Sequence, residues 1–209
     1  MKTPLVSICF FAAALGLQAQ APTAGEIAAR SQQAFYYARQ DMSARVVMTL
    51  VTAGGQQRVR DMTMLRRNAD SATAPGASDL EGRQKYFLFF RSPADVRGTA
   101  FLVWKEPGRD ADRWLFVPAL NLVQRIAARD AESSFVGSDF SYEDISGRPL
   151  AADTRRLLRE ESLNGRPCHV LESTPTGRAG YTRKLAWIDR GTFLPLKEEY
   201  YDAQKQLVR

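Results

Sequence analysis

This chain has almost none of the side chains on which hydrolytic and metal chemistry rely. Of its 209 residues one is histidine, His169, and two are cysteine, Cys9 and Cys168. A Ser-His-Asp arrangement needs a histidine held between a nucleophile and an orienting acid. His169 instead sits in a strand-like run beside Cys168, and adjacent strand residues point to opposite faces. The paired Cys/His spacing of a zinc site is absent. So is a glycine loop of phosphate-cradling form. The 29 basic residues are scattered rather than blocked, so nothing points to nucleic acid. A non-enzyme without cofactor or metal is the expected class.

An apolar run from about Leu5 to Leu17 is too short to span a bilayer comfortably. It follows Lys2 and precedes the small residues Ala19 and Ala21, the pattern of an export signal. Cleavage is expected after Ala19, because cutting after Ala21 would leave Pro22 first. Cys9 stands too early, behind Val6-Ser7-Ile8, for lipoprotein acylation. The expectation is a soluble periplasmic protein, with residues 1–19 as signal and 20–209 as one domain. Losing Lys2 takes the formal charge from +6 to +5. A mildly basic surface suits anionic lipid headgroups, and it equally suits plain solvation. With Cys168 alone remaining, no intramolecular disulfide forms, so stability must come from packing.

Along the chain, residues 24–42 have helical spacing, with Ile27, Ala34, Phe35 and Ala38 on one face. From Arg45 the period changes to two strand-like runs around Gly54-Gly55, a hairpin signal. The methionines Met42, Met48, Met62 and Met64 fall in or beside it. Met62 and Met64 share a sheet face; a two-residue turn would put Met48 opposite them, and a three-residue loop would bring it round. Residues 68–83 form a polar loop. The next run carries Tyr86, Leu88 and Phe90 on one face and Phe87 and Phe89 on the other. A strand apolar on both faces must be covered on both. Phe101 and Val103 oppose Leu102 and Trp104 in the same way, and after Pro107-Gly108 the run Arg113 to Pro118 returns. Leu122, Gln124 and Ile126 then oppose Val123 and Arg125. Between 129 and 162 the chain is polar, with helical turns expected near 139–145 and over residues 152–161. Strands resume at 166–173, after the Asn164-Gly165 turn, at 182–189 and at 195–202, an antiparallel meander. Residues 206–209 begin another strand where the sequence stops, and an unpaired edge strand is a liability.

Three acids, Asp139, Glu143 and Asp144, lie close enough to suggest a carboxylate pair for acid-base work. The architectural reading is simpler. Ser138 or Asp139 caps a helical turn, Ser141 and Asp144 fit a capping box, and Phe140 and Tyr142 anchor it, with Arg125 and Arg129 near enough to neutralise an acid.

The run Trp114-Leu115-Phe116-Val117-Pro118-Ala119-Leu120, then Arg125-Ile126, then Phe135 to Asp144 (FVGSDFSYED) resembles the outer-membrane lipoprotein-sorting family. These are LolA/LolB-like periplasmic proteins, and the likeness is to the branch found with RND-type exporters. Gly98 to Leu102 before Trp104, Cys168 to Leu171, Tyr181 to Asp189 and Leu196 to Asp202 also fit. Phe116 stands where tyrosine is common, and Asn121 and Gln124 replace positions that are often basic. Members usually continue for several strands beyond a Tyr-Tyr-Asp segment, so the C-terminal strands are expected to be missing.

The resemblance implies an α+β fold: a strongly curved antiparallel sheet, an incomplete β-barrel, with helices covering its concave side. It implies an apolar cavity between sheet and helices for the acyl chains of a lipid or lipoprotein, delivered towards the outer membrane or a transporter. Met62, Met64, Phe87, Phe89, Leu102, Trp104, Trp114 and Phe116 are the candidate lining residues. They come from both strand faces, since the sequence does not say which face turns inward. Gly137, Ser138, Asp139, Phe140, Tyr142, Glu143 and Asp144 form the structural motif. The alternative is a docking or accessory module of an RND-type transporter that binds a protein segment in the apolar groove.

Overall fold

In the computed structural model, which describes residues 21–68, 83–106 and 108–209, the apolar alternation of the chain resolves into two antiparallel meanders. The expected signal segment and nearly all of the polar loop at 68–83 lie outside the described residues. The first sheet runs in sequence order through β1 (Asp41–Val51), β2 (Gln57–Asn68), β3 (Gln84–Ser92), β4 (Ala100–Lys105), β5 (Asp112–Val117) and β6 (Leu122–Ile126). The second contains β7 (Asp153–Leu163), β8 (Arg166–Pro175), β9 (Arg183–Asp189) and β10 (Pro195–Tyr201), again in sequence order. One strongly curved sheet was the expectation. The fold is α+β and antiparallel as expected, but residues 127–152 separate β6 from β7, and the two do not pair.

The first helix, α1 (Ala24–Gln32), starts at a reciprocal cap. The Thr23 hydroxyl accepts from the Glu26 amide at 3.2 Å, and the Glu26 carboxylate accepts from the Thr23 amide at 2.8 Å. Ile27 and Ala28 then pack on Leu171, Ala186 and Ile188 of the second sheet and on Phe193 in the turn between β9 and β10. The helical pattern stretches to 42 in sequence, yet the helix ends at Gln32, widens into a π-turn at Gln33–Tyr37, and gives way to β1 at Asp41. The reason is tertiary. The first sheet claims carbonyls of the π-turn and of the residues just after it: Arg66 donates to Phe35 O at 2.6 Å, Gln84 to Tyr36 O at 3.0 Å, and Asn68 to Arg39 O at 2.7 Å.

Of residues 152–161, expected to be helical, only Ala152 lies in a helical turn, and the rest are the start of β7. They pair with β8 across the Asn164-Gly165 turn, whose two central residues both have positive φ (50° and 79°). Such a turn matches the twist of a two-residue hairpin. Pairing along β8 outweighs the helix-compatible Leu157-Leu158. The segment after β10 also pairs: Leu207 bridges Tyr201, and Val208 N donates to Tyr200 O at 2.9 Å.

The core of the first sheet lies on the side that faces α2 (Tyr142–Ser146) and the loop before it. Met62, Tyr86, Leu88, Phe90, Phe101, Val103, Leu115 and Ile126 meet Phe135 and Tyr142 there. Phe135 is fully buried, its ring centroid 5.2 Å from Phe101, 5.7 Å from Tyr142 and 5.9 Å from Phe90. Burying a phenylalanine fully stabilises by about 1.5–3 kcal/mol relative to exposure.

Candidate functional site

Turning one face of a two-sided apolar strand into the core leaves the other face to be accounted for. The register of the first sheet aligns those outward residues in rows that cross the strands. One row runs Leu65, Phe87, Leu102, Trp114 from β2 to β5. The next runs Phe89, Ala100, Phe116, Val123 from β3 to β6. Two shallow depressions lie on this face. One, of about 430 Å³, is bordered by Leu65, Phe87, Leu102 and Trp104; the other, of about 360 Å³, by Phe87, Leu102, Trp114, Phe116 and Val123. Trp104 is 44% exposed and Val123 62%. The indoles of Trp104 and Trp114 meet edge to face at 5.4 Å, and the Lys85 ammonium stands 4.8 Å from the centre of the Trp104 ring.

Six of the eight candidate lining residues therefore share one open face: Phe87, Phe89, Leu102, Trp104, Trp114 and Phe116. Met62 and Met64 do not. The loop after β1 spans residues 52–56, so Met48 pairs with Arg60 and comes round to the side of Met62 and Met64. All three belong to the core that meets Phe135. Sequence reasoning passed over Leu65 and Val123, which extend the rows at either end. Period-two alternation through β2 and β6 was the signal that could have found them.

An apolar cavity between helix and sheet was expected. Over the first sheet that space is filled by Phe135 and Tyr142. Between α1 and the second sheet lies a cleft of about 200 Å³, lined by apolar side chains such as Ala28, Phe35, Leu150, Leu171, Ala186 and Ile188 and by the charged Asp144, Arg148, Asp153, Arg155, Lys184 and Glu198. That is smaller than the usual ligand pocket of about 300–1,000 Å³. Its charges answer one another: Lys184 meets Glu198 at 3.0 Å, and Arg148 and Arg155 meet Asp153 at 3.0 and 3.3 Å. More of its exposed lining is apolar than polar, so paired charges and an apolar wall share the one cleft.

The acidic motif is a fold element. Ser141 rather than Ser138 or Asp139 caps α2: its hydroxyl accepts from the Asp144 amide at 3.0 Å, and the Asp144 carboxylate accepts from the Ser141 amide at 2.7 Å. Tyr142 anchors it in the core, whereas Phe140 is 45% exposed and Asp139 is exposed. Gly137 has φ +70°, and Ser138 turns the chain by donating to Phe135 O at 2.7 Å. Arg148, not Arg125 or Arg129, meets Glu143 at 2.6 Å, while Arg209 meets Asp144 at 2.9 Å. Burial and neighbouring Glu132 raise the Glu143 carboxyl, and Arg148 opposes them. Cys168 and His169 fall into different clusters, as alternation along β8 requires. Burial pushes the Cys168 thiol up and the His169 imidazole down.

Among the described residues, no helix is long and apolar enough to cross a membrane. A protein-family model described only as an uncharacterized protein matches residues 82–209. A structure described as a candidate outer membrane lipoprotein-sorting protein domain from Vibrio parahaemolyticus is 32% identical, with TM-score 0.71, over 88% of this chain and 74% of that one. A DUF1329 family protein from Desulfovibrio piger is 30% identical, with TM-score 0.72, over 88% and 75%. A LolA superfamily protein from Nitrosomonas europaea is similar in fold, 21% identical with TM-score 0.57, over 90% and 75%. No curated protein matches the chain.

Proposed function

This chain belongs to the outer membrane lipoprotein-sorting-like family, DUF1329, with the LolA-superfamily fold, and from that premise we propose that it is a non-enzymatic carrier of the cell envelope. It takes the acyl chains of a lipid or lipoprotein onto the open face of the six-stranded sheet and passes them towards the outer membrane or a transporter. It works in the periplasm, exported by residues 1–19 and folded as one domain from residue 20.

The observation that carries this reading is the pair of unbroken apolar rows. Burial of a methylene contributes about 0.8 kcal/mol when complete. An acyl chain lying on an open face buries roughly half of each, so about sixteen methylenes would give roughly 6 kcal/mol, a Kd of about 40 μM. That is tight enough to load and weak enough to release.

Native mass spectrometry of the protein from a periplasmic extract, with identification of extracted lipid, is the test. A bound mass of acyl size is expected. A fluorescent fatty-acyl probe should bind, and Leu102→Asp or Trp114→Asp should weaken it at least tenfold. A clean protein that also ignores the probe would overturn the reading.

A second reading rests on the edge of β6, which ends the described sheet beside Val123. An extended protein segment, such as one from an RND-type transporter, would add there as a strand and place alternate side chains on the apolar rows. Backbone amide protection of β6 on adding the partner, without lipid uptake, would favour it.

A further inference from the structure

The apolar rows have charged borders, and the borders have a sign. The outward residues of β3 read Lys85, Phe87, Phe89, Arg91: a cation, two aromatics, a cation. Six residues of strand separate the two cations by about 20 Å. On this face of the sheet Arg45, Arg67, Lys85, Arg91 and Arg125 stand against Asp41, Asp61 and Asp112, a surplus of two. The three acids are already engaged, Asp61 with Arg45 at 2.8 Å, Asp41 with Arg67 at 3.4 Å, and Asp112 with Arg109 and Arg125. Among the described residues neither Lys85 nor Arg91 is within ion-pair distance of a carboxylate, although Arg91 is near enough to Asp61 to help Arg45 hold that carboxyl down. Lys85 lies over the Trp104 ring at 4.8 Å, and Arg91 donates to the Thr63 hydroxyl at 2.6 Å.

We propose that this face docks on the surface of an anionic lipid bilayer, with the aromatic rows against the acyl boundary and Lys85 and Arg91 among the headgroups. The proposal rests on the carrier reading and names the partner from which the same face loads or to which it unloads. Three features fit this partner together. Indoles, here Trp104 and Trp114, favour the depth at which hydrocarbon meets headgroup. Long cationic side chains reach from an apolar face to phosphate oxygens without burying their charge. An unpaired surplus of positive charge is attracted to a negatively charged leaflet, by about fivefold in affinity for each cation near the surface. A neutral apolar partner would gain nothing from the cations, and a purely anionic one would leave the rows exposed.

The test is co-sedimentation of the protein from residue 20 to 209, without the export signal, with vesicles of phosphatidylcholine alone and of phosphatidylcholine with phosphatidylglycerol. Binding is expected to the anionic vesicles, to fall in high salt, and to weaken about tenfold or more when Lys85→Gln and Arg91→Gln are combined. Phe87→Ser with Leu102→Ser should abolish what remains at high salt. Thermal unfolding checks that each variant is folded. Equal binding to both vesicle types, binding to neither, or a Lys85→Gln/Arg91→Gln variant that behaves as wild type would overturn the proposal. A monomeric fatty-acyl probe without vesicles separates the two readings. Probe uptake without vesicle binding sinks the docking alone. Vesicle binding without probe uptake upholds the docking and sinks the carrier.

Discussion

His169 illustrates how one residue without a chemical task still shapes behaviour. Its ring lies in β8 with Nδ1 3.2 Å from a Glu160 carboxylate oxygen, near Arg190, and its centroid is 6.4 Å from that of Phe193, over which Arg30 of α1 stacks at 3.7 Å. Burial lowers its pKa from 6.5, Glu160 pulls the other way, and Arg190 and Arg30 add to the lowering. A depressed folded-state pKa means that the unfolded chain takes up the proton first. The stabilising effect is therefore complete above about pH 6.5 and is lost progressively as the pH falls from there through the folded value. Urea midpoints measured between about pH 7.5 and 5 should fall in the wild type, and the decline should be shallower in His169→Gln. Parallel slopes would remove His169 from the account. Asp189 lies outside that window. Donation from the Thr192 hydroxyl and amide, aided by Arg166, holds its carboxyl at about 2, so its effect is lost only in strong acid.

Among the elements, α2 is the shortest α-helix described and depends most on its first residues. Five residues are too few for a helix to stand by itself. The Ser141–Asp144 box and the Tyr142 ring in the core hold it, so Ser141→Ala should cost about 1 kcal/mol in chemical denaturation. A loss within a few tenths of zero would mean that Tyr142 alone anchors the turn. This element was readable in sequence because its signals are local: a serine, an acid three residues on, and an aromatic between. The β7 strand was not, because Leu157-Leu158 between charges suits helix and strand alike, and only pairing with β8 decides. Recognising that the Asn164-Gly165 turn requires an arm on each side would have found it. The same limit applied to the apolar face. Alternation separated Phe87 and Phe89 from Tyr86, Leu88 and Phe90, but which set meets Phe135 depends on residues more than forty positions away.

In the whole molecule the two sheets are tied by polar contacts as well as by apolar packing. The π-turn, continuous with a helix that packs on the second sheet, presents its carbonyls to Arg66, Asn68 and Gln84 of the first, and Asn68 also donates to Arg39 O just beyond it. Gln84 also donates to the Asn68 side chain at 2.7 Å, so that the pair acts as one unit. Asn68→Leu removes a donor from part-buried carbonyls, at a cost of about 1–3 kcal/mol. It should also loosen the coupling between sheets: wild-type unfolding followed by Trp187 and by Trp104/Trp114 should coincide, and in Asn68→Leu the two should separate. Coincidence in both would show that other contacts, such as Tyr200 to Asp144 and Arg209 to Asp144, suffice.

The edge-to-face contact of Trp104 and Trp114 has a practical consequence. Two indoles at 5.4 Å couple their electronic transitions, and such a coupled pair gives a split circular dichroism signal in the ultraviolet whose size depends on their mutual angle, here 70°. The remaining tryptophan, Trp187, is buried in the second sheet, away from that pair. Anything that slips between the two rings, or draws Lys85 away from one of them, changes their angle. The protein thus carries its own label-free reporter at the centre of the face proposed to receive lipid.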